Sequence, residues 1–295
     1  MSRDAATESS ARGKGSESMS NDTDRVHVRV SERVALLTID RAESLNALDR
    51  ATLRALRRAA VTAAEDPDVG AILLTGTGRA FCVGADLKQM ATGGMAEGNE
   101  SPREAVFATA GELHHLISAL ARAPKPVICA VNGTTAGAGV GIALACDVVW
   151  AARSSTFKLA YTAIGLSPDG GTTFFLPRLV GWKLAAEFFF TNRKLTADEA
   201  LGFGLVSRVE ADADLLPAAR ALAAELARGP TRAFAEVKAL LRVSGHNGLE
   251  TQTEEERQAI ARSFASADFA EGIAAFLAKR APVFGGEGRP QRPPT

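Results

Sequence analysis

The sequence predicts a layered α/β domain followed by a helical C-terminal region, and two patterns carry that prediction. Apolar runs of strand length (Val34 to Ile39, Ala71 to Thr75, Val127 to Val131, Val148 to Ala151) alternate with stretches of helical period as far as about Pro177. Beyond Gly181 strand signals thin out and helical stretches follow one another. A third feature suggests where chemistry is done. Residues 125–150, KPVICAVNGTTAGAGVGIALACDVVW, pass from a buried strand through a string of small residues into a short apolar helix around Ile142 to Ala145.

The elements follow in order. Residues 1–24 are rich in Ser, Gly, Arg, Glu and Asp and lack the apolar core of a signal peptide, so a disordered leader is expected. Val26 to Val30 and Val34 to Ile39 flank Ser31-Glu32-Arg33 as a hairpin. A loop over 40–49 leads into a helix from Arg50 to about Glu65, with Leu53, Leu56, Ala60 and Ala64 on one face. Pro67-Asp68 closes it before the strand at Ala71 to Thr75. The turn Arg79 to Lys88, RAFCVGADLK, and a glycine-rich polar stretch over 92–101 precede a helix from about Pro102 to Arg122. After the central stretch come strands at Val148 to Ala151 and Thr156 to Leu159. Helices are predicted near 182–190, 196–202, 215–228, 230–243, 250–264 and 268–279, with one apolar run at Leu205 to Val209. The division predicted is a core over 25–208, a helical region over 209–284 and a flexible Gly/Pro/Arg tail over 285–295.

Composition bounds the function. With 295 residues, 46% of them hydrophobic, the chain can bury a large core. Lys+Arg and Asp+Glu balance at 34 each, which gives no global attraction to nucleic acid or an anionic membrane. No apolar run approaches the roughly 20 residues of a membrane span. The three cysteines (Cys82, Cys129, Cys146) form no C-x-x-C and sit among apolar or small residues, as reduced core thiols of a cytoplasmic protein would. The four histidines show no metal-ligand spacing, so no metal is expected; His114-His115 read as solvated or packed.

A strand that feeds a glycine-rich turn and then a helix leaves N–H groups unpaired at the helix start, where they can hold an anion or a developing oxyanion. A dinucleotide fingerprint fits poorly, because Gly141 comes one residue early and Asp147 precedes the next apolar run. A small-residue helix packed without a ligand is the ordinary alternative. Favouring a site is the second such stretch, Arg79 to Lys88, where Ala85 follows Gly84 after a strand.

Taken together, Leu45-Asn46-Ala47-Leu48, Ala80 to Leu87, Pro126 to Asp147, Leu176 to Gly181 and Ala197 to Val206 occur in an order that resembles the crotonase (enoyl-CoA hydratase/isomerase) superfamily, over roughly Val28 to Phe284. The resemblance implies a spiral of repeated ββα units followed by C-terminal helices that build a homo-trimer, often paired into a hexamer. It implies an acyl-CoA thioester as substrate, coenzyme A entering with the substrate rather than as a resident cofactor. By the same resemblance the N–H groups of Ala85 and Ala138 form an oxyanion hole, and Leu45, Ala47, Val83, Asp86, Leu87 and Tyr161 contact CoA or substrate.

The acid/base positions depart from the hydratases. Where a hydratase of this family carries two glutamates, this chain has Gly141 and Tyr161. Asp169, in GLSPDGG, stands where the resemblance to phenylacetyl-CoA-type isomerases and 4-chlorobenzoyl-CoA dehalogenases puts a working aspartate. Read from the residue alone, Asp169 is a helix N-cap ahead of Gly170-Gly171-Thr172-Thr173. Tyr161 reads as a wall of the acyl pocket and Glu112 as part of a solvated helix face. The reading is an acyl-CoA enzyme that shifts a double bond. Its alternatives are hydration without the usual glutamate pair and a non-catalytic acyl-CoA-binding role.

Overall fold

A computed structural model describes residues 25–285; the expected leader (1–24) and all but the first residue of the expected tail (285–295) lie outside that range. The architecture is built by repetition. Strands β1 (Val26–Ser31) and β2 (Val34–Ile39) form the hairpin and lead into α1 (Arg50–Glu65). The second unit is β3 (Ala71–Gly76), β4 (Ala80–Cys82), α2 (Leu87–Thr92) and α3 (Pro102–Arg122). The third is β5 (Val127–Val131), β6 (Thr134–Ala136) and α4 (Ala138–Leu144). The fourth is β7 (Val148–Ala152), β8 (Thr156–Lys158), α5 (Thr172–Val180) and α6 (Trp182–Thr191). After these come β9 (Leu195–Thr196), α7 (Ala197–Gly202), β10 (Arg208–Glu210) and α8 (Leu215–Ala227). The chain continues as α9 (Thr231–Ser244), α10 (Leu249–Phe264) and α11 (Ala267–Leu277).

Two sheets result. The larger has the order β1-β2-β3-β5-β7-β10 and the smaller β4-β6-β8-β9. From the second unit on, each unit gives its first strand to the larger sheet and its second to the smaller. All pairings are parallel except β1 with β2 and β8 with β9. The long apolar strands of the larger sheet are buried on both faces, as parallel strands require. Alternate residues divide between two cores. Ile72, Leu74, Val127, Cys129 and Val131 face the main core, whereas Leu73, Ile128, Ala130 and Trp150 face Leu215, Ala219, Ala223 and Ala227 of α8.

Two differences from the sequence reading have plain causes. Strands β4 and β6 are only three residues long and adjoin the glycine turns, so no periodicity announces them. Helix α8, read as part of a C-terminal region, covers the second face of the larger sheet, and an alanine-rich stripe suffices for that close packing. A separate docking holds α9 to the core. Lys238 donates to the Leu120 carbonyl at 2.9 Å and lies 2.7 Å from the Asp147 carboxylate, which also accepts from the Val127 N–H at 2.8 Å. Burial pushes the Asp147 carboxyl up from its ordinary pKa, and the Lys238 charge opposes that. Among the described residues no helix is long and apolar enough to cross a membrane, no metal-ligand cluster occurs, and the three cysteines are buried and unpaired.

Candidate active site

Strands β4 and β6 pair in parallel, so the glycine-rich turns that follow them leave the same edge of the smaller sheet. The turns touch. A Cβ built on Gly84, which has φ +85°, would stand 3.2 Å from the Ala138 nitrogen and 3.0 Å from the Ala136 carbonyl oxygen. At Gly139 a Cβ would meet the Cys82 carbonyl oxygen at 2.2 Å, so only glycine permits this approach. Ala85 is held by a parallel bridge to Leu48, in which the Leu48 N–H donates to Gly84 O at 2.7 Å and the Asp86 N–H to Leu48 O at 3.0 Å. That bridge leaves the Ala85 N–H unused. Neither it nor the Ala138 N–H, at the first position of α4, donates to a protein acceptor among the described residues. Two such preorganised donors in neighbouring turns are what a developing oxyanion requires.

Asp169 reaches this edge through backbone packing. Gly141 lies against the 169–171 turn so closely that a Cβ on it would be 2.3 Å from the Gly170 carbonyl oxygen. A Cβ on Gly170 would be 3.8 Å from the Ala138 Cα and 3.2 Å from Leu113 Cδ2. Gly170 and Gly171 both take positive φ, +59° and +71°, a pair of left-handed positions that favours glycine at each. The N-cap reading of Asp169 does not hold. Gly171 occupies the cap of α5 without a side-chain cap, and Asp169 contributes its carbonyl, which accepts from Thr172 N at 3.2 Å and Thr172 Oγ1 at 2.8 Å. Its carboxylate is thereby left for other partners. The Tyr161 hydroxyl donates to Oδ1 at 2.9 Å.

The carboxyl is half-buried. Burial pushes its pKa above the ordinary carboxylate value, while the Tyr161 hydrogen bond and the nearby His114 imidazole act in the other direction. Tyr161 is 8% exposed, and burial together with the Asp169 charge pushes its phenol pKa up, which keeps it a donor. Tyr161, read as a wall of the acyl pocket, thus carries a polar contact that reading did not include. His114, read as solvated or packed, sits exposed on α3 beside Asp169. The two are distant in sequence, and a His-His pair on a helix gives no hint of that neighbour.

The other predicted residues separate into two groups. Leu45 and Asn46 take consecutive left-handed conformations, φ 56° and 58°. Asn46 is fully buried and rivets the loop, donating to Thr77 O at 2.9 Å and Ala80 O at 2.7 Å. Ala47 is buried with its carbonyl held by Arg41, while Leu45 and Val83 are half-exposed and Leu87 is exposed. Asp86 is buried, and its carboxylate serves Arg41 at 3.1 Å and the Gln89 N–H at 3.2 Å, so what it can offer a ligand is backbone. Glu112 pairs with Arg54 and Arg57 of α1, at 3.1 and 3.0 Å, as a tie between helices.

A spiral of ββα units closed by helices, with paired peptide donors at the edge of its smaller sheet, is the crotonase fold. The chain belongs to the enoyl-CoA hydratase/isomerase family, whose model matches residues 29–287. It is 43% identical to a probable enoyl-CoA hydratase of Rhodobacter capsulatus, over 88% of this chain and 98% of that one. It is 37% identical to the 1,2-epoxyphenylacetyl-CoA isomerase of Escherichia coli, over 88% and 97% of the two chains. Among solved structures, an enoyl-CoA hydratase from Polaromonas sp. JS666 superposes with a TM-score of 0.81 at 34% identity, covering 88% of this chain and 98% of that one.

Proposed function

We propose that this enzyme shifts a carbon–carbon double bond within an enoyl-CoA thioester. The Asp169 carboxylate takes the C2 proton of a 3-enoyl-CoA. The C–H electron pair moves into a dienolate whose charge rests on the thioester oxygen, between the Ala85 and Ala138 N–H groups. Asp169 then returns the proton at C4, giving the conjugated 2-enoyl thioester. Each peptide donor of this kind is worth about 3–4 kcal/mol of barrier, because it is aimed before charge develops.

One observation carries this reading over hydration. The Gly141 position is filled by the Gly170 backbone, and the Tyr161 side chain is bonded to Asp169, so neither place that holds a hydratase glutamate can hold a second carboxylate here. Asp86, next to Ala85, spends its carboxylate on Arg41 and the Gln89 N–H, which leaves the Asp169 carboxyl suited to moving a proton along the substrate. Incubation with trans-3-hexenoyl-CoA should raise the ultraviolet absorbance of the conjugated thioester. Hydration of trans-2-hexenoyl-CoA, with no activity toward the 3-enoyl isomer, would overturn the reading.

A further inference from the structure

We propose that Tyr161 is a positioning residue for Asp169: its phenol holds Oδ1 and leaves Oδ2 as the oxygen that takes and returns the proton. The inference rests on Asp169 being the base, and adds which oxygen works and what aims it.

The geometry is specific. Tyr161 Oη stands 2.9 Å from Asp169 Oδ1 and 3.3 Å from the Asp169 carbonyl oxygen, so one hydroxyl spans the side chain and backbone of the same residue. Thr172 holds that carbonyl from the other side through Oγ1 at 2.8 Å. No side chain among the described residues donates a hydrogen bond to Oδ2. Tyr161 is itself referenced to the oxyanion turn. The Gly137 N–H donates to the Lys158 carbonyl at 3.0 Å, and Ala160, at φ +64°, reverses the chain just before Tyr161. The phenol, the carboxyl and the Ala138 donor therefore share one rigid frame.

Such a frame has chemical consequences. A hydrogen bond to a carboxylate favours its charged form, and a buried phenol beside a carboxylate keeps its proton. Tyr161 therefore stays a hydrogen-bond donor to Oδ1. When Oδ2 takes the C2 proton, Oδ1 becomes the carbonyl oxygen of the acid and still accepts from the phenol. The carboxyl plane is held through both transfers, and the proton stays on the oxygen that faces substrate.

Tyr161 is the only tyrosine in the chain, which gives a direct probe. Fluorotyrosine incorporation in a His114→Gln background, which removes the imidazole beside Asp169, should yield a single fluorine resonance that shifts with pH as Asp169 ionises and becomes flat over the same range when Asp169→Asn is added. A resonance insensitive to pH between about 3 and 8 in the His114→Gln protein with Asp169 intact would overturn the proposal whatever the substrate, since that window spans the ordinary and raised ranges of a carboxyl. With trans-3-hexenoyl-CoA, Tyr161→Phe should lower kcat about tenfold, hold KM within about twofold, and move the acid limb of the kcat profile to higher pH, since a bond favouring the charged carboxyl is lost. An unmoved limb sinks the positioning role and leaves Asp169 as base. Wild-type turnover in Asp169→Asn would sink the base itself.

Discussion

Gly141 and Gly170 are in backbone contact: a Cβ on Gly141 would lie 2.3 Å from the Gly170 carbonyl oxygen. The contact sets the Asp169 turn against α4. Gly141→Ala should therefore destabilise the fold by about 1–3 kcal/mol, the usual cost of overpacking, and lower turnover by displacing Asp169. Denaturation midpoints and isomerase rates check this together. An equally stable, equally active alanine variant would mean that the turn is not held by this contact.

Asp169→Asn separates the carboxyl's chemistry from its place in the fold. The Asp169 side chain caps no helix, and asparagine can still accept from Tyr161, so folding and CoA affinity should persist. Turnover should fall by roughly 10²–10⁴-fold, the range expected when a general base is removed. Isothermal titration with acetyl-CoA beside the rate assay measures both. Retained turnover would point to a different base, His114 being an imidazole whose charge reaches Asp169.

How much of this was legible in the sequence depends on whether a feature is local. Helices α1 and α3 have the predicted limits because caps and period fix them within their own residues: Asp49 accepts from Thr52 N, and Ser101 and Glu104 form a capping box. The two glycine turns were legible as well, since glycine marks close backbone approach wherever it occurs. What could not be read was set by contacts between distant residues. The direction of the Tyr161 hydroxyl, the approach of His114 to Asp169 and the use of the Asp86 carboxylate by Arg41 have no spacing rule behind them. The alternate-face burial of Leu73 and Ile128 against α8 became visible only with the sheet order.

Assembly should follow from apolar surface left uncovered. Ile260, Phe264, Phe276 and Leu277 on α10 and α11 are 71, 67, 78 and 74% exposed. A second apolar feature is a groove of about 850 Å³ between α5 and α9, walled by Phe174, Phe234, Val237 and Leu241. Large apolar side chains left exposed in this number are what an interface covers, and we expect a closed ring of three protomers or a multiple of three. Light scattering at micromolar concentration measures the mass. Phe276→Asp should shift it toward the monomer, and a monomeric wild-type protein would contradict the expectation.

The docking of α9 on Lys238 should be visible in stability. Lys238→Met removes the partner of the Asp147 carboxylate, whose side chain is 30% exposed, and leaves the Leu120 carbonyl without its donor. A loss of about 1–3 kcal/mol is expected, less than for a fully buried pair because Asp147 keeps some contact with solvent. The double variant Lys238→Met/Asp147→Asn should recover part of that loss, because no unpaired charge remains. Urea denaturation of the four proteins gives the coupling directly, and strictly additive losses would mean that the pair holds nothing.

Keeping the Asp169 carboxyl in place should cost the fold stability. Burial raises the folded-state pKa of this carboxyl above that of the unfolded chain. Below the unfolded value, about 3.9 for aspartate, both states are protonated and the carboxyl adds nothing to the pH dependence. Between the unfolded and the raised folded value the native state binds more protons than the unfolded one, so stability falls as pH rises. Above the folded value the whole cost is present. Asp169→Asn never carries that charge, so it should be more stable than wild type at pH 8, with the difference shrinking as pH falls toward 4. Urea denaturation at both pH values measures it. A difference that is constant with pH, or that favours wild type at pH 8, would show that the carboxyl is not held at a cost. Higher stability together with lost turnover is the outcome expected when a charge is kept half-buried for its reactivity.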